Sequence, residues 1–155
     1  MKGLLTGVRK LVPNVDMSMP AARASLGGSA KHSYFTALYD CTDGKEVEVE
    51  GVMKFNKGQV GYRPGEEQFR YASVTAYEFN SLPLPQYYDD TTLVSSREEN
   101  GKTYFKVKLT TTPSRKGGIN EMDVSASPQG VIVVRLVYPV DAGVMEECKP
   151  SIRLL

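Results

Sequence analysis

From Tyr104 to Thr111 the chain alternates strictly. Tyr104, Lys106, Lys108 and Thr110 fall on one side, and Phe105, Val107, Leu109 and Thr111 on the other. A period of two is the signature of a strand with one wet face and one apolar face. The preceding Asn100-Gly101 is the preferred two-residue turn between twisted antiparallel strands, so Thr91–Arg97 and Thr103–Thr111 read as a hairpin. Pro113 ends the second strand, and Arg115-Lys116-Gly117-Gly118 reads as a flexible basic tip before a further strand over Ile119–Val124. The spacing therefore predicts a two-stranded arm with cations at its tip and lysines along one face. Such an arm suits a polyanion, and it equally suits a surface hairpin with no binding role.

The same β signal runs through most of the chain. Gly3–Val8 reads as a short strand and His32–Cys41 as a strand rich in aromatic and β-branched residues. Thr42-Asp43-Gly44-Lys45 reads as a tight hairpin turn. Val47, Val49 and Val52 alternate with Glu46, Glu48 and Glu50, and Gly51 reads as a bulge. Gln68–Phe79 reads as a strand carrying Phe69, Tyr71, Ser73, Thr75, Tyr77 and Phe79 on one face. Leu82-Pro83-Leu84-Pro85 cannot sit in a central strand and reads as a loop or extended connector. Val131–Val137 is the most apolar run and reads as the central strand, with Pro150–Leu155 as a short tail strand.

Pro13–Gly28 is irregular. It is either an extended arm or, around Pro20–Ala24, one helical turn capped by Ser18. The expectation is one all-β domain over residues 1–155 with about eight strands, a small barrel or a sandwich with an oligonucleotide-binding-like barrel favoured, and an irregular N-terminal arm over 1–28. Phe35, Phe69, Phe79 and Phe105 are expected in its core, with Val107, Leu109, Val131, Val133 and Leu136.

Composition narrows the function classes. A length of 155 residues and 41% hydrophobic content suit one domain with a real core. The formal net charge of +1 gives no global attraction to nucleic acid, so any such site must come from local clustering. No apolar run reaches the roughly 20 residues of a membrane helix. The start, MKGLLTGVRKLVPN, is broken by Gly7, Arg9 and Lys10 and does not read as a secretion signal. A reducing cytoplasm is the expected setting. Cys41 and Cys148 are read as two buried thiols, with pairing as the alternative in an oxidising compartment.

No catalytic chemistry stands out. His32 is the single histidine and has no partner in sequence for a metal or a nucleophile. Asp89-Asp90, Glu98-Glu99 and Glu66-Glu67 read as solvated pairs. There is no phosphate loop or dinucleotide fingerprint. The chain is expected to be no enzyme and to need no metal or cofactor. Nine Tyr and five Phe, mostly in strands, together with Lys31, Lys54, Lys57, Arg63, Arg70, Lys106, Lys108, Arg115 and Lys116, supply the stacking surfaces and cations of a single-strand groove.

Four landmarks occur in an order that resembles the small single-stranded-DNA-binding proteins of filamentous phages. They are Leu4–Lys10; Gly28–Phe35, where a basic turn leads into a Tyr-bearing strand; Val60–Glu67; and Phe105–Val124. The resemblance implies an oligonucleotide-binding barrel working as a homodimer that coats single-stranded DNA. It implies nucleic-acid contacts at Arg9, Lys31, Tyr34, Tyr62, Arg115 and Lys116. The segment 13–27 and everything beyond Ala126 have no counterpart in that family. The favoured reading is therefore a non-enzymatic single-stranded nucleic-acid-binding protein; the alternative is a structural assembly subunit, such as a viral capsid or decoration protein. It would be a β-sandwich in the virion, with its arm ordered against neighbouring coat subunits.

Overall fold

The computed structural model describes residues 13–14, 32–52, 71–80, 83–89, 91–100, 102–114, 120–137 and 149–155. Within them lie nine strands: β1 His32–Asp40, β2 Val47–Val52, β3 Tyr71–Tyr77, β4 Pro83–Asp89, β5 Ser95–Glu99, β6 Lys102–Thr110, β7 Glu121–Asp123, β8 Gln129–Val137 and β9 Ser151–Leu154. Two sheets form, sheet I in the order β1-β8-β3-β4 and sheet II in the order β5-β6-β2-β9 with β7 beside β6. All pairings are antiparallel except β6 with β7. Neither sheet closes on itself among the described strands, so the all-β expectation takes the form of two open sheets around one core.

That core joins both inner faces. Sheet I contributes Phe35, Ala37, Tyr39, Ala72, Val74, Ala76, Leu84, Ile132 and Val134; sheet II contributes Val47, Val49, Phe105, Val107, Leu109, Met122 and Ile152. Tyr39 is buried with the rest, and its hydroxyl donates to the Ser127 carbonyl at 2.8 Å. Removal from water pushes that phenol up to about 12. Tyr88 ties the sheets together, donating from β4 to the Glu121 carbonyl on β7 at 2.6 Å.

Several sequence expectations are met directly. The Asn100-Gly101 hairpin joins β5 to β6, with Glu99 opposite Lys102 and Asn100 at φ 52. The apolar run of β8 is the interior strand of sheet I, between β1 and β3. β9 forms the edge of sheet II beside β2.

Others are corrected. The arm over 104–124 is not a hairpin: β6 and β7 run parallel, with Lys108 opposite Glu121 and Thr110 opposite Asp123. Parallel strands need a crossover rather than a tight tip. Asp43 and Gly44 do take positive φ, 58 and 74, but they lead β1 of one sheet into β2 of the other instead of closing a hairpin. Gly51 is no bulge. It stays in register opposite Phe105, whose ring occupies the place a Cβ would take. The ring fills the inner-face place that glycine leaves empty. Pro83 and Pro85 lie within strand β4, which is tolerable because β4 is an edge.

The phase of two strands also differs from expectation. On β3 the small residues Ala72, Val74 and Ala76 face the core, and Phe79 beyond its end is 62% exposed rather than core. On β8 the buried residues are Ile132 and Val134, while Val131 and Val133 are half-buried on the outer face. A run that is apolar at every position carries no parity to read.

Candidate functional site

Of the six residues put forward for nucleic-acid contact, Tyr34 lies in the described part; Arg9, Lys31, Tyr62, Arg115 and Lys116 lie outside it. Tyr34 projects from the outer face of β1 and is half-buried. The registers place it in a transverse row with Arg135 on β8, Ser73 on β3 and Asp89 on β4. The Arg135 guanidinium carbon lies 5.8 Å from the Tyr34 ring centroid, within reach of the ring's negative face. Asp89 closes the row. Burial acts to raise its pKa, but hydrogen bonds from Thr91 and Thr92 outweigh that and hold the carboxyl below its ordinary value.

The rows beside it are uncharged. Thr36, Val133, Thr75 and Tyr87 form one, and Leu38, Val131, Tyr77 and Pro83 the next. Tyr87 is 56% exposed, and Phe79 lies just beyond Tyr77. Among the described residues, the outer side of sheet I therefore carries aromatic and aliphatic groups with one arginine and, toward its margins, the Asp40 and Asp89 carboxylates. Sequence reasoning missed Arg135, because it stands inside the run read as a core strand. The alternation of Arg135 with Val134 was the only available signal.

The outer side of sheet II has the opposite chemistry. Glu46, Glu48 and Glu50 alternate with the core valines around β2 and face Lys106 and Lys108 across the ladder. Lys108 bonds Glu46 at 3.2 Å and Glu121 at 3.0 Å. Lys106 lies 3.3 Å from Glu48 and 3.5 Å from Glu50. Arg153 of β9 bonds Glu48 at 2.6 Å. Arg97 of β5 bonds Glu50 at 2.8 Å and also Glu99, and its guanidinium stacks 3.7 Å over the Tyr104 ring. Burial acts to raise the Glu50 pKa, but the Arg97 hydrogen bond and the Lys106 and Arg97 charges outweigh it and leave the carboxyl below its usual value. The hydrogen bond that Lys108 donates to Glu121, followed by the one it donates to Glu46, raises the Lys108 pKa. Of the lysines put forward for a polyanion groove, Lys106 and Lys108 are thus held by carboxylates of their own sheet.

Two asparagines in left-handed conformations fasten strand ends. Asn14 (φ 61) donates its amide to the Asp40 carbonyl and accepts from the Asp40 N–H, at 3.1 and 3.0 Å. Asn120 (φ 51) does the same with Val94, at 2.7 and 2.9 Å. In each case one side-chain amide replaces a backbone rung.

Reactive chemistry is not assembled among the described residues. No group of three or more His, Cys, Asp or Glu there could hold a metal ion. The Cys41 thiol is buried, makes a 3.7 Å contact with the Leu109 carbonyl, and is pushed up to about 11 by loss of solvent, which disfavours the thiolate. Among the described residues no helix is long and apolar enough to cross a membrane.

Comparison with known proteins gives a fold likeness without a family. No protein-family model matches the sequence, and no curated protein matches it. The structure is similar to the crystal structure of an uncharacterized protein from Burkholderia cenocepacia, with a TM-score of 0.63 and 14% sequence identity. The likeness covers 90% of this chain and 34% of that one, so this chain spans about a third of its neighbour's length.

Proposed function

We propose that this chain is a non-enzymatic assembly subunit that works through its surfaces. The observation that carries this reading is the pairing of Lys106, Lys108, Arg97 and Arg153 with carboxylates, while the outer side of sheet I presents Tyr77, Tyr87, Val131 and Val133. A surface whose cations are already neutralised has little to offer a polyanion, and an apolar sheet face favours protein partners. The setting that fits is a shell or decoration subunit of a virus, with neighbouring coat subunits as partners. Sedimentation velocity and electron microscopy of the purified chain test it. Self-association or regular particles are the expected outcome, and a strict monomer that also fails to bind a coat preparation would refute it.

A second reading is single-stranded DNA binding, favoured by the Tyr34–Arg135 row on an aromatic sheet face. Bases stack on such rings at roughly 1–3 kcal/mol each. Fluorescence anisotropy with a labelled oligonucleotide at two salt concentrations, with duplex as control, decides it. Salt-sensitive, strand-selective binding that weakens in Arg115→Ala with Lys116→Ala would support this reading over the first. No binding at low salt would end it.

A further inference from the structure

Resting on the assembly reading, we infer that β9 is the seam through which two copies of this chain pair, edge to edge, into one continuous sheet. Five strands have a side with no described strand beside it: β1, β4, β5, β7 and β9. Asn14 takes up backbone groups of Leu38 and Asp40 on β1, and β7 has three residues. Two others carry devices that block pairing. β4 contains Pro83 and Pro85, and β5 has a register shift and carries Arg97, Glu98 and Glu99 in five residues. β9, Ser151–Leu154, has neither proline nor bulge within it.

The open side of β9 follows from its ladder. Leu155 N–H donates to the Glu46 carbonyl at 2.9 Å, so Glu46 and Leu155 form a hydrogen-bonded pair. Such pairs alternate along an antiparallel ladder. Arg153 and Ser151 therefore spend their backbone groups on β2, and Ile152 and Leu154 turn theirs outward. Beside these groups stand Leu154 and Leu155, 51% and 55% exposed.

Side-chain chemistry selects the occupant and the register. Consider a second copy related by a two-fold axis through Ile152. Ile152 then meets Ile152, and the two exchange N–H···O bonds. Leu154 meets Pro150, with its N–H aimed at the Pro150 carbonyl. Apolar residues face each other on the inner side. On the outer side Arg153 meets the small Ser151, and its charge is already bound to Glu48. An axis through Arg153 would set two arginines directly opposite, which is unfavourable. The strand is thus self-complementary in one register.

Light scattering and sedimentation equilibrium on the full chain test this, up to about 100 μM, because a seam of a few backbone bonds is weak. A concentration-dependent dimer is expected. Leu154→Pro removes an outward N–H and no rung to β2, so it should leave the fold intact by circular dichroism and weaken the dimer about tenfold or more. In a Cys148→Ser background, copies carrying Ser151→Cys mixed with copies carrying Arg153→Cys should join by a disulfide on mild oxidation. Neither variant alone should do so. Self-joining of Arg153→Cys copies would overturn the register. A dimer or larger particle unaffected by folded Leu154→Pro would overturn the seam and leave the assembly reading standing. A monomer at every concentration would overturn the seam, and with no coat binding it would overturn both.

Discussion

The two sheets share one core and turn different chemistry outward. Sheet II faces out with Glu48 and Glu50 against Lys106 and Lys108, two successive rungs charged and paired. Sheet I faces out with Leu38, Val131, Val133 and Tyr77. A charged outer face satisfies itself, because its ions find each other within the sheet. An apolar outer face gains by being covered. The difference leaves the outer face of sheet II satisfied by its own ions and gives the outer face of sheet I the apolar surface that would gain from cover.

The comparison breaks most visibly in the core strand of sheet I. Ile132→Ala should cost about 2–5 kcal/mol, and Val133→Ala, one residue along on the outer face, about 1 kcal/mol or less. Equal losses in denaturant titrations would mean that the assigned phase of β8 is wrong. Next in size is Asn120→Ala, which leaves the N–H and carbonyl of Val94 without their amide partner. About 1–3 kcal/mol should be lost, with faster amide exchange at the start of β5. Wild-type stability and exchange in this variant would show that the amide rung is dispensable.

Acid sharpens the comparison from the other side. Glu50 has a lowered folded pKa, so its contribution is present above the ordinary carboxylate value and fades as pH falls through the folded one. Stability should fall over that acid range, and Glu50→Gln should flatten the fall. An unchanged pH profile in the variant would remove Glu50 from the account. The smallest effect belongs to Lys106→Ala on the exposed ion-pair ladder, about 0.2–1 kcal/mol. The difference from wild type should shrink in high salt, and a salt-independent loss would point to packing of the lysine stem instead.

What the sequence made legible follows physical lines. β2 and β6 alternate cleanly, so their inner residues Val47, Val49, Phe105, Val107 and Leu109 could be named in advance. Asn100-Gly101 announced its turn because a positive φ is chemically demanding. β8 was legible as a central strand and illegible in phase, because both its faces are apolar. β7 was legible as a strand, but its direction is set by partners distant in the chain, and no local pattern encodes that. The candidate site was the least legible. Five of its six residues lie outside the described segments, and Arg135 was hidden inside an apolar run. The pairing of Lys106 and Lys108 was missed although Glu48 and Glu50 were in view, because register across a ladder is a tertiary fact.

The strand order also governs how the chain must be made. β1 precedes its partner β8 by most of the described strands, with His32 opposite Val137. β2 likewise waits for β6 on one side and β9 on the other, Glu48 ending opposite Arg153. Neither early strand has a described neighbour close behind it in sequence. A ribosome therefore releases β1 and β2 ahead of their described partner strands β6, β8 and β9. Folding of this kind is dominated by long loop closures and is slow, and the waiting strands are open to wrong partners in the interval. Newly made chains should depend on dilution or chaperones during that delay, in proportion to how long β8 and β9 take to arrive.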